Sequence, residues 1–265
     1  MKNNIWTVYK IELEKLIKRR DFLALLALVA VNLYFGITTL SSVYTGVSNQ
    51  SAIYWLCTQI FNSSTLLINA MIFAFMGSKT LATEVESGSI LLYTIRIKDR
   101  KSIYIGKSLA LFTFVTLAFI FICLFNIIIY YTMVTNNANV ASNSFLGNNT
   151  MYIIITIIMI YFSSFILVSQ FALSLGSFLK SSQVIGMTFI ITLLCHNTLK
   201  VPIIRYLNPW YYIKEFCKET IYVTEKVVIN FSDKGALVLR FTILCCVSLL
   251  LFNIFAINKL GKKEM

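Results

Sequence analysis

Apolar residues arrive in long unbroken runs, not in the two-residue alternation of a half-buried strand or the narrow stripe of a soluble helix. Six runs, 22–43, 53–78, 103–134, 151–179, 184–199 and 237–258, stand out. A helix needs about 20 residues to cross a hydrocarbon core of roughly 30 Å. The runs therefore predict an all-α polytopic membrane protein with six transmembrane helices. The fifth run is the shortest, and Asn197 and Thr198 sit at its end. The third and fourth are long enough to tilt or to extend beyond the bilayer. No internal repeat is visible.

The polar punctuation between the runs sets an orientation. The N-terminal stretch carries Lys2, Lys10, Lys15, Lys18, Arg19 and Arg20, and the segment after the second run carries Lys79, Arg96, Lys98, Arg100, Lys101 and Lys107. Lys180 separates runs four and five, and Lys259, Lys262 and Lys263 follow run six. The alternate loops, 44–52 and 135–150, hold no charged residue. Basic residues accumulate on the cytoplasmic side of a membrane, so both termini are expected inside, in a multi-pass protein of a bacterial cytoplasmic membrane. An even number of spans agrees. The first run is expected to stay as a span, because about twenty polar and amphipathic residues precede it and no small-residue cleavage motif follows.

A single transmembrane domain, 1–265, then divides into an interfacial helix (1–21), spans one to five (22–199), an outer element (200–236), span six (237–258) and a cytoplasmic tail (259–265). On a helix, Ile5, Trp6, Tyr9, Leu13, Leu16 and Ile17 form one stripe about 120° wide, with Lys10, Glu14, Lys15, Lys18 and Arg19 outside it. Such a helix either lies on the inner leaflet, Trp6 and Tyr9 anchoring it among headgroups, or packs on the protein's own cytoplasmic loops. In the outer element, Asn208-Pro209 reads as a helix start, with Asn as cap and Pro in the first turn. Tyr206, Trp210, Tyr211 and Tyr212 surround it, residues suited to a membrane–water interface. An aromatic belt and a gate touching cargo are both compatible with that segment.

Composition excludes most soluble functions. Of 265 residues, 58% are hydrophobic and 13% charged, against roughly a quarter charged in soluble domains. The net charge of +12 would suggest nucleic acid in a soluble chain, but here the basic residues edge a bilayer. The six cysteines form no CxxC pair and lie mostly in apolar runs, where they behave as small hydrophobes. His196 is the sole histidine, so no metal site is expected, and no G-x-x-x-x-G-K-[ST] loop for ATP occurs.

No Asp or Glu falls inside the six runs, while Lys107 and Arg240 lie near their ends, within snorkelling reach of the interface. Ion-coupled transporters usually carry a titratable or coordinating group in the membrane. This chain offers neutral polar groups instead: Asn32, Gln59, Asn62, Asn69, Asn126 and Gln170. They are candidates to line a pathway, although interhelical hydrogen bonding is the commoner role.

The loop after the second run holds the most specific pattern. Thr83 with Glu86 three residues on reads as a capping box, predicting a cytoplasmic helix that starts there. Its acidic start, its apolar middle (Ile90, Leu91, Ile95) and its basic end suit docking on another protein. The same charge order also simply complements a helix dipole. The run Glu84-x-Glu86-x-Gly88-Ser89-Ile90, then Arg100, then Gly106-Lys107 opening an apolar span, resembles the permeases of type-2 ABC exporters. Those commonly show an acidic residue, a Gly and a Thr or Ser, then a basic residue seven before a Lys. A Pro often stands three before that basic residue, where this chain has Ile97.

The resemblance implies a coupling helix between spans two and three and a re-entrant element before the last span. It places Glu84, Glu86, Gly88, Ile90 and Arg100 at the contact with a separate P-loop ATPase subunit. The chain itself would hold no cofactor and would not be an enzyme, since ATP and Mg bind the partner. A second permease copy, identical or a paralogue, completes the assembly. Spans rich in Phe, Ile and Tyr suit an amphipathic peptide, a toxin or a hydrophobic drug as cargo, moved outward. A non-transporting anchor or sensor that recruits a cytoplasmic partner, or an ATP-independent facilitator, are the alternatives.

Overall fold

The computed structural model describes residues 2–18, 26–34, 37, 51–90, 97, 100–137, 143–147, 150–202, 204–217 and 234–262. Every regular element among them is helical, and four helices are long and apolar enough to cross a membrane: Thr65–Glu86, Arg100–Val134, Thr150–Leu175 and Gly235–Leu260. The protein is an all-α protein of membrane-spanning helices. In chain order we label α1 (Lys2–Lys18), α2 (Ala52–Phe61), α3 (Ser63–Glu86), α4 (Arg100–Val134), α5 (Thr150–Leu175), α6 (Ser181–Asn197), α7 (Pro209–Cys217) and α8 (Gly235–Lys262). Residues 26–34 are also helical. Most of the first expected span, residues 91–96 and 98–99 of the expected coupling segment 83–100, and 218–233 of the outer element lie outside the described residues.

The expected second span, 53–78, is in fact two helices. Asn62 leaves helical geometry at φ −56° and ψ 126°, so α2 stops at Phe61 and α3 begins at Ser63. At 1.5 Å per residue, α2 is only about 15 Å long and α3 about 36 Å. The apolar run conceals this break, because hydropathy reports composition and not backbone geometry. α2 packs beside the far ends of α4 and α5, where Trp55 sits 6.4 Å from Tyr130. Its first amides, on Ala52 and Ile53, donate to the carbonyls of Ser144 and Phe145.

The capping-box reading at Thr83 is corrected as well. Thr83 and Glu86 lie in the last turn of α3, and Thr83 Oγ1 donates back to the Lys79 carbonyl at 2.6 Å. The helix ends there because Gly88 adopts φ +72°, the left-handed conformation that terminates helices and that glycine takes without strain. The fifth expected span falls on α6, which at 17 residues is not one of the four helices long and apolar enough to cross a membrane. By contrast, Asn208-Pro209 does start α7: Asn208 Oδ1 accepts from the Trp210 amide at 3.0 Å.

α3 lies at the centre, packed between α5 and α6. Its approach to α5 is close because both faces are small. A Cβ on Gly77 would stand 2.5 Å from the Ser169 carbonyl oxygen and 2.9 Å from Ala172 Cβ. One on Gly176 would stand 3.0 Å from the Ala82 amide. Small residues let helix backbones meet where lipid supplies no hydrophobic driving force. An aromatic ladder then fills the centre: Phe73 of α3 on Phe165 of α5 (4.8 Å), and Phe119 of α4 on both Phe165 (5.0 Å) and Tyr161 (4.8 Å). Tyr161 and Phe165 both belong to a π-helical turn, Tyr161–Ile166, within α5.

Gly77→Val inserts three carbons against backbone that cannot move aside. Overpacking of this kind costs about 1–3 kcal/mol. We expect a lower thermal midpoint in detergent for Gly77→Val, and little change for Gly186→Val, where a Cβ meets nothing within 4 Å.

Candidate functional site

The two ends of the bundle are built from different chemistry. At the basic end, four charged side chains from three helices form a closed cluster. Lys107, the eighth residue of α4, is fully buried, and its Nζ lies 2.6 Å from Glu84 Oε2, 3.0 Å from Glu12 Oε2 and 3.0 Å from the Thr80 carbonyl. Lys15 Nζ lies 3.0 Å from Glu12 Oε1 and 3.0 Å from Glu84 Oε1. Each carboxylate is thus held between the same two ammonium groups, and the cluster's formal charges sum to zero. Glu12 and Glu84 are buried, while the Lys15 side chain stays 31% exposed and is the cluster's main contact with water among the described residues.

Gly106, next to Lys107, lets this happen. A Cβ there would stand 2.7 Å from Val8 Cβ and 3.1 Å from the Ile5 carbonyl oxygen, so α1 and α4 meet almost backbone to backbone. α1 therefore packs on the protein through Val8, Glu12 and Leu16, a face that meets the expected apolar stripe only at Leu16. Trp6 and Ile17 of that stripe remain exposed. Tyr9 is half-buried and stacks on Trp6 at 4.9 Å.

The other residues expected at the partner contact are dispersed around this end. Glu86 is exposed, and its Oε2 accepts from the Ser181 amide at 3.3 Å, an acid at the N-terminus of α6. Gly88 forms the turn, and Ile90 is buried. Arg100 Nη1 donates to the Leu260 carbonyl at 3.2 Å, a cation at the C-terminus of α8. The ends of α1, α3, α4, α6 and α8 are thereby tied into one layer. Sequence reasoning missed Glu12 and Lys15. The available signal was Glu12 itself, a carboxylate set on the edge of an apolar stripe.

At the far end the links are aromatic and carbonyl. Tyr152 of α5 stacks on Phe216 of α7 at 4.1 Å, and its hydroxyl donates to the Phe216 carbonyl. Lys234 Nζ donates to Tyr152 Oη at 2.8 Å and to that carbonyl at 3.3 Å, and it lies 5.2 Å from the Tyr152 ring centroid. Arg205, in a 3₁₀ turn before α7, donates to Tyr206 Oη at 2.7 Å and lies 4.8 and 5.4 Å from the Tyr206 and Tyr211 rings. The accepting Tyr206 hydroxyl holds the guanidinium pKa above its ordinary value. Trp210, expected as an interfacial anchor, is buried and meets His196 edge-on at 5.5 Å.

The neutral polar residues between the ends divide by partner. Gln170 joins α5 to α4: its Nε2 donates to the Ser108 carbonyl at 3.1 Å, and its Oε1 accepts from Ser108 Oγ at 2.8 Å. Asn32 and Asn126 donate to carbonyls of their own helices, on Leu28 (2.7 Å) and Ile122 (2.9 Å). Asn69 is fully buried, and neither of its amide atoms meets a partner among the described residues. Asn62 sits at the break between α2 and α3.

A cavity of about 200 Å³ opens between α5, α6 and α8, roofed by residues 207–210. Leu167, Phe171, Ile191 and Phe252 make much of its wall. Among the described residues, no group of three or more His, Cys, Asp or Glu side chains is placed to hold a metal ion. The chain matches no known protein-family model, and no curated protein is significantly similar to it.

Removing one member of a buried charge pair costs about 3–5 kcal/mol, because the other is left uncompensated. Lys107→Met therefore lowers stability by that order in an unfolding titration, whereas Lys18→Met, which breaks the exposed Glu14–Lys18 pair, gives no measurable change. Gly106→Val drives α1 off α4, and faster tryptic cleavage at Lys10 is the expected readout.

Proposed function

We propose that the chain is the membrane subunit of an ATP-driven exporter of the type-2 ABC class. In this reading six spans carry both termini on the cytoplasmic side, and the basic end is the cytoplasmic layer. A separate P-loop ATPase docks on the segment 83–100, and two permease subunits enclose the pathway. The cargo is an amphipathic peptide or a hydrophobic drug.

The observation that supports this reading best is the connectivity around Glu84 and Glu86. The turn after α3 is the point from which force applied to the cytoplasmic face would spread. Glu84 links it to α1 and α4 through the charge cluster, and Glu86 links it to α6. Glu84 itself would then transmit motion without touching the ATPase. The exposed Glu86-Ser87 edge, with Gly88, would carry the contact together with the residues that follow.

Affinity purification of the tagged chain from its own membranes, with mass spectrometry of what remains bound, tests this directly. A P-loop ATPase near one-to-one ratio is the expected result, and its loss in Glu86→Lys with the thermal midpoint retained would locate the contact. An intact, folded chain recovered without an ATPase would instead favour the anchor or facilitator.

A further inference from the structure

We propose that the cavity between α5, α6 and α8 is a phospholipid site, holding the headgroup-proximal part of one acyl chain in its apolar interior while Arg205, on the turn beside its roof, takes the phosphate. The inference requires a membrane protein but not an exporter.

The lining asks for hydrocarbon. Three of its four hydroxyls are already bonded within their own helices, Ser248 being the fourth: Ser163 to the Ile160 carbonyl (3.2 Å), Thr188 to that of Val184 (2.7 Å) and Thr192 to that of Thr188 (2.7 Å). Asn208 is also engaged, its Oδ1 by the Trp210 amide and its Nδ2 by the Cys195 carbonyl. A ligand rich in hydrogen-bonding groups would find few partners here, and burying its polar atoms unpaired would be unfavourable.

Size selects further. A cavity of about 200 Å³ falls below the roughly 300–1,000 Å³ of drug-sized sites, so it fits part of a molecule. Beside the α8 residues that line it, Leu251 and Phe255 present exposed apolar side chains. A chain entering from the hydrocarbon therefore stays in apolar surroundings throughout.

The roof supplies the headgroup partner. Leu207, which lines the cavity, ends the same 3₁₀ turn, Ile204–Leu207, that carries Arg205. The guanidinium lies against Tyr206 and Tyr211, its Nη2 donates to Tyr206 Oη at 2.7 Å, and its Nη1 makes no hydrogen bond among the described residues. A planar cation with donors to spare matches a phosphate diester. Ile204 and Leu207 beside it are exposed and apolar, as expected of a turn resting in the interface.

Trp210 lines the cavity and reports on its content. The full chain carrying Trp6→Phe and Trp55→Phe keeps Trp210 as its single tryptophan. It would be reconstituted in vesicles containing increasing fractions of phosphatidylcholine with brominated acyl chains, which quench tryptophan on contact. Strong quenching is expected, cut at least twofold when the cavity is filled by Thr192→Met or, as an independent replacement on another helix, Ser248→Phe. Arg205→Gln should raise the bromolipid fraction needed for half-quenching at least threefold. An unquenched Trp210, or quenching that survives both filled variants with their thermal midpoints retained, would overturn the site. An unchanged midpoint in Arg205→Gln would overturn the assignment of the phosphate.

Discussion

Three helices of this protein owe their mutual position to one buried ammonium. Lys107 stands eight residues into α4, too deep for its charge to be left alone in a low-dielectric layer. Both carboxylates that answer it come from other helices, Glu12 from α1 and Glu84 from α3, and each uses its second oxygen on Lys15. Gly106 is the companion constraint, since only a residue without a Cβ lets α1 come near enough for Glu12 to reach. Position 106 sets the approach and position 107 the charge. The exposed Glu14–Lys18 pair, one turn along the same helix, has similar geometry but lies in water, where such pairs contribute little.

The fold class was legible in the sequence because membrane helices announce themselves by composition. Their exact limits were less so. Asn62 breaks an apolar run that hydropathy reads as continuous, and the deciding quantity, its ψ of 126°, has no compositional trace. Thr83 and Glu86 have the spacing of a capping box, yet the same spacing occurs inside any helix. Gly88, five residues after Thr83, was the better guide to where the chain stops being helical. Asn208-Pro209 was read correctly because cap and proline act locally, with no tertiary context required. The charge cluster was the opposite case. Lys107 was read as a snorkelling lysine and Glu84 as a surface contact, because the lysine's partners lie 23 and 95 residues away and no local rule pairs them.

The contrast between the two ends follows from what each must hold. At the basic end the ties are ionic or run from charged groups to helix termini: Arg100 to the end of α8, Glu86 to the start of α6. Such ties are directional and strong when dry, and they fix helix ends against one another. At the far end Lys234 rests on two stacked rings and a carbonyl, and Arg205 on two tyrosines. Aromatic faces accept a cation over a range of positions. The far end thus adds cation–ring contacts to its hydrogen bonds around α7, while the ties of the basic end are ionic or run to helix termini.

This division bears on where energy could enter. A carboxylate that carries an ion through a membrane must release one partner and take up another on each cycle. Glu84, the most deeply buried acid of the four spanning helices among the described residues, has an ammonium group on each oxygen. Releasing either would strand charge in the protein interior at a cost of several kcal/mol. As an ion carrier it is badly placed. As a mechanical joint it is well placed, because the same cost makes the cluster move as a unit: a displacement of the turn at Gly88 must carry Glu84 with it, and Glu84 must carry α1 and α4. The polarity of the spans and the geometry of the cluster are therefore compatible with the exporter proposed above, in which work would be delivered by contact at the basic end.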